Sequence, residues 1–347
     1  MMRSLFHPVF LLVAFAACTS ADKNAPPAPA PEAADSTFVN PLLESGPDPW
    51  VVEKDGTYYF TCTRADRLVL YPTKKMSELS KAVPTTIYTP EPGTKWSANL
   101  WAPELFFLRG KWYMYFAADD GKDENHRMYV LENASADPLK GTWELKGQLK
   151  PATDRWAIDG SILEYSDQLY FLWSGWREGG GQGQQIYIAK MSDPYTINGD
   201  RVMLCEAVYD WEKQGGHVNE GPEIIKNGAG QIFMTYSASS CFTDGYCLGL
   251  LTLKPDGDPM NPADWSKSPE PVMRTSEGAF GPGHNGFFRS PDGKENWIIY
   301  HANRQAGQGC GGQRNPRIER FTWSENGVPV FSRPVAPDKP LKKPSGE

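Results

Sequence analysis

Residues 48–63 read DPWVVEKDGTYYFTCT: a short apolar run, a turn at Asp55-Gly56, then an aromatic-rich run. Apolar runs of strand length broken by turn residues describe two antiparallel strands. The same unit returns as APELFFLRGKWYMYFAAD from Ala102, DGSILEYSDQLYFLWSGW from Asp159, EGPEIIKNGAGQIFMTYS from Glu220 and HNGFFRSPDGKENWIIYHAN from His284. Successive starts lie 54, 57, 61 and 64 residues apart. Each unit is followed by a third strand candidate, in turn RLVLYPTK, RMYVLENA, QIYIAKMS, LGLLTLKP and RIERFTWS, and then by a turn-rich link with room for a fourth. Five such units at a near-regular period specify an all-β fold, a five-bladed β-propeller. A β-sandwich leaves the period unexplained, and kelch and WD40 signatures are absent.

The chain of 347 residues is 40% hydrophobic and 22% charged, a globular balance. Its net charge of -7 argues against nucleic acid as a partner, because a polyanion is met by a basic face. The 12 Trp and 15 Tyr favour strands and offer flat faces on which sugars stack, although most are expected to serve the core. The 33 Gly and 30 Pro fit many short strands and turns.

Residues 1–17 carry LFHPVFLLVAFAA after Arg3, too short and too oddly flanked for a membrane span, and read as a signal peptide. FAAC resembles a bacterial lipoprotein cleavage site with Cys18 as the lipid attachment point; simple cleavage after a small residue is the alternative. Residues 18–37 form a Pro/Ala-rich tether, residues 38–338 the propeller domain and residues 339–347 a C-terminal tail. The protein is expected to be exported, as a periplasmic or outer-membrane-anchored lipoprotein or in secreted form, monomeric, and touching membrane only through that lipid. With Cys18 so used, five cysteines remain and at least one is unpaired. Cys241 and Cys247, in SCFTDGYC, are close enough to bridge a turn. No CxxC pair or His cluster marks a zinc site.

In a propeller the first strand of each blade lines the axis, so residues at the strand starts converge at one mouth of the channel. That column reads Asp48, Ala102, Asp159, Glu220, His284. Converging carboxylates repel, and such repulsion is tolerated chiefly for metal binding or acid/base catalysis. The bland alternative is that each acid caps a strand end. Glu223 lies three positions beyond Glu220, and alternation with period two turns it away from Glu220's side. Three acids and aromatic walls suit glycoside hydrolysis, which needs one protonated carboxyl and one carboxylate across the scissile bond.

The constellation PDPW, LWAPE, AIDGS, NEGPE and GPGHNGFF resembles glycoside hydrolase family 43, over about residues 40–335 and with five blades in order. That resemblance implies an enzyme that inverts configuration on α-L-arabinofuranosides or β-D-xylosides. It implies Asp48 as general base, Asp159 as the acid that orients and tunes, and Glu220 as general acid. His284 matches a position beside a calcium ion held through waters at the axis; a histidine bonded to a neighbouring carboxylate is the other possibility. Arg317, in RNPRIERF, fits an arginine that reaches the sugar, with Arg314 its competitor. Trp101, Trp50 and Trp176 are the candidate pocket wall, each open to a packing role instead. The pattern around SASSCFTDGYC and GPGHNGFFRSPDG is most similar to the exo-acting arabinofuranosidase branch, which takes arabinose from plant cell-wall arabinan or its oligosaccharides. A β-D-xylosidase on the same scaffold and a non-catalytic glycan-binding propeller are the alternatives.

Overall fold

The computed structural model describes residues 36–177 and 183–347; the expected signal peptide, Cys18 and nearly all of the tether lie outside them. Five antiparallel sheets follow one another along the chain. Blade one holds Trp50–Lys54, Thr57–Thr61, Leu68–Thr73 and Thr85–Tyr88. Blade two holds Ala98–Leu108, Lys111–Asp119, Arg127–Asn133 and Glu144–Leu149. Blade three holds Ala157–Tyr165, Gln168–Gly175, Gln185–Asp193 and Thr196–Ile197, with Val202–Cys205 added along its third strand. Blade four holds Asn219–Lys226, Ile232–Ala238, Cys247–Leu253 and Trp265–Lys267. Blade five holds Phe280–Arg289, Asn296–Asn303, Asn315–Trp323 and Pro329–Val330.

The first strands touch their neighbours in ring order, and the fifth touches the first, so the sheet faces close a ring. Each face is apolar and needs a partner, which only the next blade supplies. Five apolar clusters accordingly fill the five interfaces. Leu68, Leu105 and Trp112 join blades one and two. Tyr115, Met128 and Phe171 join two and three, and Leu172, Ile188 and Met234 join three and four. Leu248, Ile298 and Tyr300 join four and five, and Phe60, Val69 and Ile299 join five to one. The aromatic richness of the sequence is mostly spent here.

The ends of the domain reinforce the closure. Thr37–Phe38 pairs with Leu341–Lys342, and Asn40 exchanges two hydrogen bonds with the backbone of Ile318 at 3.0 and 3.1 Å. Residues 339–347 are therefore packed into the domain rather than free. The Glu347 carboxylate accepts from the backbone of Met76, and Ser345 bonds Ser290. Cys241 pairs with Cys310, not with Cys247, and so bridges loops of blades four and five across 69 residues. Cys247 is buried as the first residue of a strand, which takes its side chain away from the loop. Cys62 and Cys205 are also buried thiols.

Four of the five inner strands share a break in their ladder, and those of blades two and five carry a second, between Ala98 and Trp101 and between Phe280 and Gly283. The register slips between Trp101 and Glu104, Ile158 and Ser161, Glu220 and Glu223, and Gly283 and Gly286, three steps on the inner strand against two on its partner. Each slip is a bulge that inserts one residue, and its first residue takes a left-handed backbone. The φ values are 44° at Ala102, 56° at Asp159, 53° at Gly221 and 47° at His284, with Asp48 at 54° just before blade one's inner strand. A left-handed backbone costs a residue with a Cβ roughly 1–2 kcal/mol, a strain that persists where surrounding structure over-determines it.

The bulges change two expectations. The true column is Asp48, Ala102, Asp159, Gly221, His284, so Glu220 enters from one residue earlier than the other members. The inserted residue also restores Glu223 to the face of Glu220, since their partners Ser237 and Thr235 are two apart. Simple alternation fails there because the strand is not regular. Glu223 is buried.

Candidate active site

The mouth of the channel is a cavity of about 450 Å3 lined by Asp48, Asp159, Glu220, His284, Arg314 and Trp101, with Trp156, Asn99, Asp123, Gln184 and Phe242 around them. The three acids and His284 are all buried within the protein wall, 3–8% exposed. Bulges fix the backbone at Asp159, Glu220 and His284, and Asp48 stands in a left-handed backbone just before its strand, so carboxyls from blades one, three and four are held together despite their repulsion.

Asp48 is the charged member. Its Oδ1 accepts from Arg314 Nη1 at 2.7 Å and its Oδ2 from Thr63 Oγ1 at 2.6 Å. Burial pushes its carboxyl up, but the Arg314 guanidinium and the Thr63 hydroxyl outweigh burial and hold it well below the usual carboxylate range. His284 Nδ1 lies 3.6 Å from Asp48 Oδ1, and His301 Nδ1 lies 3.5 Å from it. Burial pushes both imidazoles down, towards the neutral form, so the compensating charge is Arg314's. His301 Nδ1 accepts the Asp48 backbone N–H at 3.1 Å, which requires an unprotonated Nδ1.

Glu220 is the opposite case. Burial raises its carboxyl to about 7; Asp48's charge adds to the rise, while the Tyr246 hydrogen bond and Arg314 oppose it. The Tyr246 hydroxyl donates to Glu220 Oε1 at 2.7 Å. Asp159 is also raised, by burial first and then by Glu220 and Asp48, although its Oδ2 accepts the Gly221 N–H at 3.0 Å. Glu220 thus holds a proton up to about 7, with Asp159 on the adjacent blade also raised, while Asp48 stays ionised.

Beneath them lies a second tier that sequence reading missed. Glu104 and Glu223, each two residues past a bulge start, meet carboxyl to carboxyl, with Ser161 Oγ 3.5 Å from Glu223. Both are buried, 3% exposed, and burial pushes Glu104 up to about 8 and Glu223 well above its usual range. Two carboxyls in such contact share a proton. The signal was the constant offset from Ala102 and Gly221, readable only once the bulges are known.

The wall differs from expectation. Trp101 lines the cavity, stacked on His126 at 4.0 Å between centroids, with His126 Nδ1 3.1 Å from Asp119. Trp50 does not line it: its ring packs on Phe106 and its Nε1 donates to Leu105 O at 2.9 Å, inside the interface of blades one and two. Trp176 stacks behind Trp156 at 4.8 Å, and Trp156 takes the wall position in its place. Arg317 is wholly buried, its guanidinium on Asn315 Oδ1 and Asn303 O, because it lies within a paired strand that turns it from the channel. Arg314, just before that strand begins, is the arginine at the site.

A calcium ligated directly by the side chains around His284 fits poorly. Asp159, Glu220 and His284 place ligand atoms within 4.8 Å of one another, yet calcium takes six to eight oxygens and one of these donors is an imidazole nitrogen. His284 Nδ1 is already against Asp48 Oδ1 at 3.6 Å and Asp159 Oδ2 at 4.0 Å, so that nitrogen is turned to carboxylates. A dication on Glu220 would also strip the proton that burial keeps there.

Comparison with known proteins gives the family. Residues 38–329 match the description "Glycosyl hydrolases family 43". The chain is 39% identical over 320 residues to the extracellular exo-α-(1→5)-L-arabinofuranosidase of Streptomyces avermitilis, covering 89% of this chain and 66% of that protein. It is 39% identical over 288 residues to the enzyme of the same name from Streptomyces chartreusis, covering 81% and 85%. Among solved structures, the α-L-arabinofuranosidase of Lactobacillus brevis superposes with a TM-score of 0.82 at 34% identity, over 87% of this chain and 98% of that one. With its five blades and converging acids, the chain belongs to glycosyl hydrolases family 43.

Proposed function

We propose that the protein is an exported, inverting exo-α-L-arabinofuranosidase that removes single arabinofuranose units from arabinan or arabino-oligosaccharides. The observation that carries this is a difference in protonation inside one cavity: Asp48 is ionised beside Arg314, and Glu220 retains a proton. Asp48 removes a proton from water as the water oxygen bonds to the anomeric carbon. Glu220 gives its proton to the departing glycosidic oxygen as that bond breaks. Tyr246 occupies Glu220 Oε1, so the deliverable proton sits on Oε2. Asp159 accepts the Gly221 N–H and so fixes the backbone next to Glu220. Trp101, held flat by His126, supplies a face for the sugar ring. The relatives named above support the choice of sugar and the extracellular address.

Linear arabinan, arabinotriose and xylan, incubated with the enzyme and resolved by chain length, test it. Arabinose should be the first product from the arabinan substrates, and proton NMR should show the β anomer before mutarotation. Early release of long oligosaccharides, a first-formed α anomer, or xylose release at ten times the arabinose rate would contradict it.

A further inference from the structure

Phe242 is 75% exposed, an unusual state for a large apolar ring on a protein with five well-filled interfaces. It lines the same cavity as the acids, together with both halves of the Cys241–Cys310 bridge. Its loop, residues 239–246, joins the second and third strands of blade four. That loop is not loose. The bridge ties Cys241 to blade five, Asp244 accepts the Gly307 N–H at 2.9 Å, and Thr243 Oγ1 donates to Ser240 O at 3.0 Å. The ring is thus exposed in a held position, against the backbone face of Gly309.

The same loop ends in Tyr246, which holds Glu220. A general acid protonates the leaving oxygen, so the leaving group lies on Glu220's side of the cavity. Water must enter on the side of Asp48 and Arg314. The loop that orients the acid is therefore also the loop that borders the leaving group. Trp101 and Trp156, from blades two and three, stand elsewhere on the wall and are left for the sugar that is cleaved off.

We propose that Phe242 is the platform for the leaving-group sugar, a specificity-determining residue that stacks on the apolar face of the penultimate pentose and is held in place by the Cys241–Cys310 bridge. This rests on the arabinofuranosidase function proposed above. Phe242 acts through binding of the oligosaccharide and takes no part in proton transfer.

The test pairs two substrates. α-L-Arabinofuranosyl fluoride has a single atom as leaving group and cannot reach Phe242; α-1,5-arabinotriose can. Wild-type turnover of the fluoride reports the hydrolase function alone, and its absence would overturn that function and this inference with it. Given that turnover, Phe242→Ala should raise KM for arabinotriose about tenfold, equivalent to about 1.4 kcal/mol, with kcat changed less than about threefold. Its fluoride kinetics should stay within about twofold of wild type, and Phe242→Tyr should restore the low KM. The Cys241→Ser, Cys310→Ser double variant should copy the Phe242→Ala pattern. An unchanged KM for arabinotriose, or equal losses on both substrates, would overturn the proposal.

Discussion

Arg314 Nη1 lies 2.7 Å from Asp48 Oδ1, and this contact between blade five and the entry to blade one sets the charge of the site. The pairing closes the ring chemically where the ends of the domain close it mechanically. Removing the guanidinium leaves burial to act on Asp48 unopposed. Because an adjacent arginine depresses an aspartate by about one to three pH units, Arg314→Ala should move the acidic limb of kcat/KM upward by that amount. The pH–rate profile reads it directly, and Arg314→Lys should move the limb less.

Tyr246 opposes the rise of Glu220 by donating to its charged form. Without that bond the carboxylate is less favoured, so Glu220 holds its proton to higher pH. The alkaline limb of kcat/KM, expected near 7 in the wild type, should move up by about one to two pH units in Tyr246→Phe, since a hydrogen bond to a charged group contributes about 1.5–3 kcal/mol. A limb that stays in place or moves down would detach Tyr246 from the acid.

Gly221 sits at φ 53°, and a Cβ there would lie 3.3 Å from His284 Nδ1. Gly221→Ala should therefore strain the bulge and push His284 off Asp48. A loss of about 1–2 kcal/mol in denaturant unfolding, with a larger proportional loss of kcat than of substrate affinity, is the expected result.

The buried pair Glu104 and Glu223 should make the fold less stable as pH rises. The pair keeps a proton in the folded protein that unfolded carboxyls near 4.3 give up, so the native state binds more protons than the unfolded one above that pH. Stability from Glu104 is complete below the unfolded value and is lost progressively up to about 8. The slope is about 1.4 kcal/mol per pH unit for one proton. Glu104→Gln removes that proton from the balance, and its Tm should vary less between pH 5 and pH 8 than that of the wild type.

The five blades were legible because repeated apolar runs and turns survive any local irregularity. The acids of the site were legible for a related reason, as strand starts in a propeller converge whatever their register. Their arrangement was not. A bulge adds one residue without marking the sequence, so strict alternation places Glu223 away from Glu220 and gives no sign of Glu104. Arg314 and Arg317 differ only in standing before or within a paired strand, a distinction set by where pairing begins. Trp50 and Trp176 carry the residue type of a sugar wall, but blade two covers Trp50 and Trp156 stands in front of Trp176. Cys310 could not be matched to Cys241 from spacing, because their contact depends on two adjacent blades.

The division of labour between Asp48 and Glu220 is tested most directly by Asp48→Ala and Glu220→Ala on two substrates each, arabinotriose and an aryl arabinofuranoside with a good leaving group. A missing acid hurts only where the leaving oxygen needs a proton, and general acid/base groups contribute about 10²–10⁴-fold. Glu220→Ala should lose about that factor in kcat on arabinotriose and less than about tenfold on the aryl substrate, whereas Asp48→Ala should lose both alike. Equal losses on both substrates in both variants, or the asymmetry appearing in Asp48→Ala instead, would contradict the assignment.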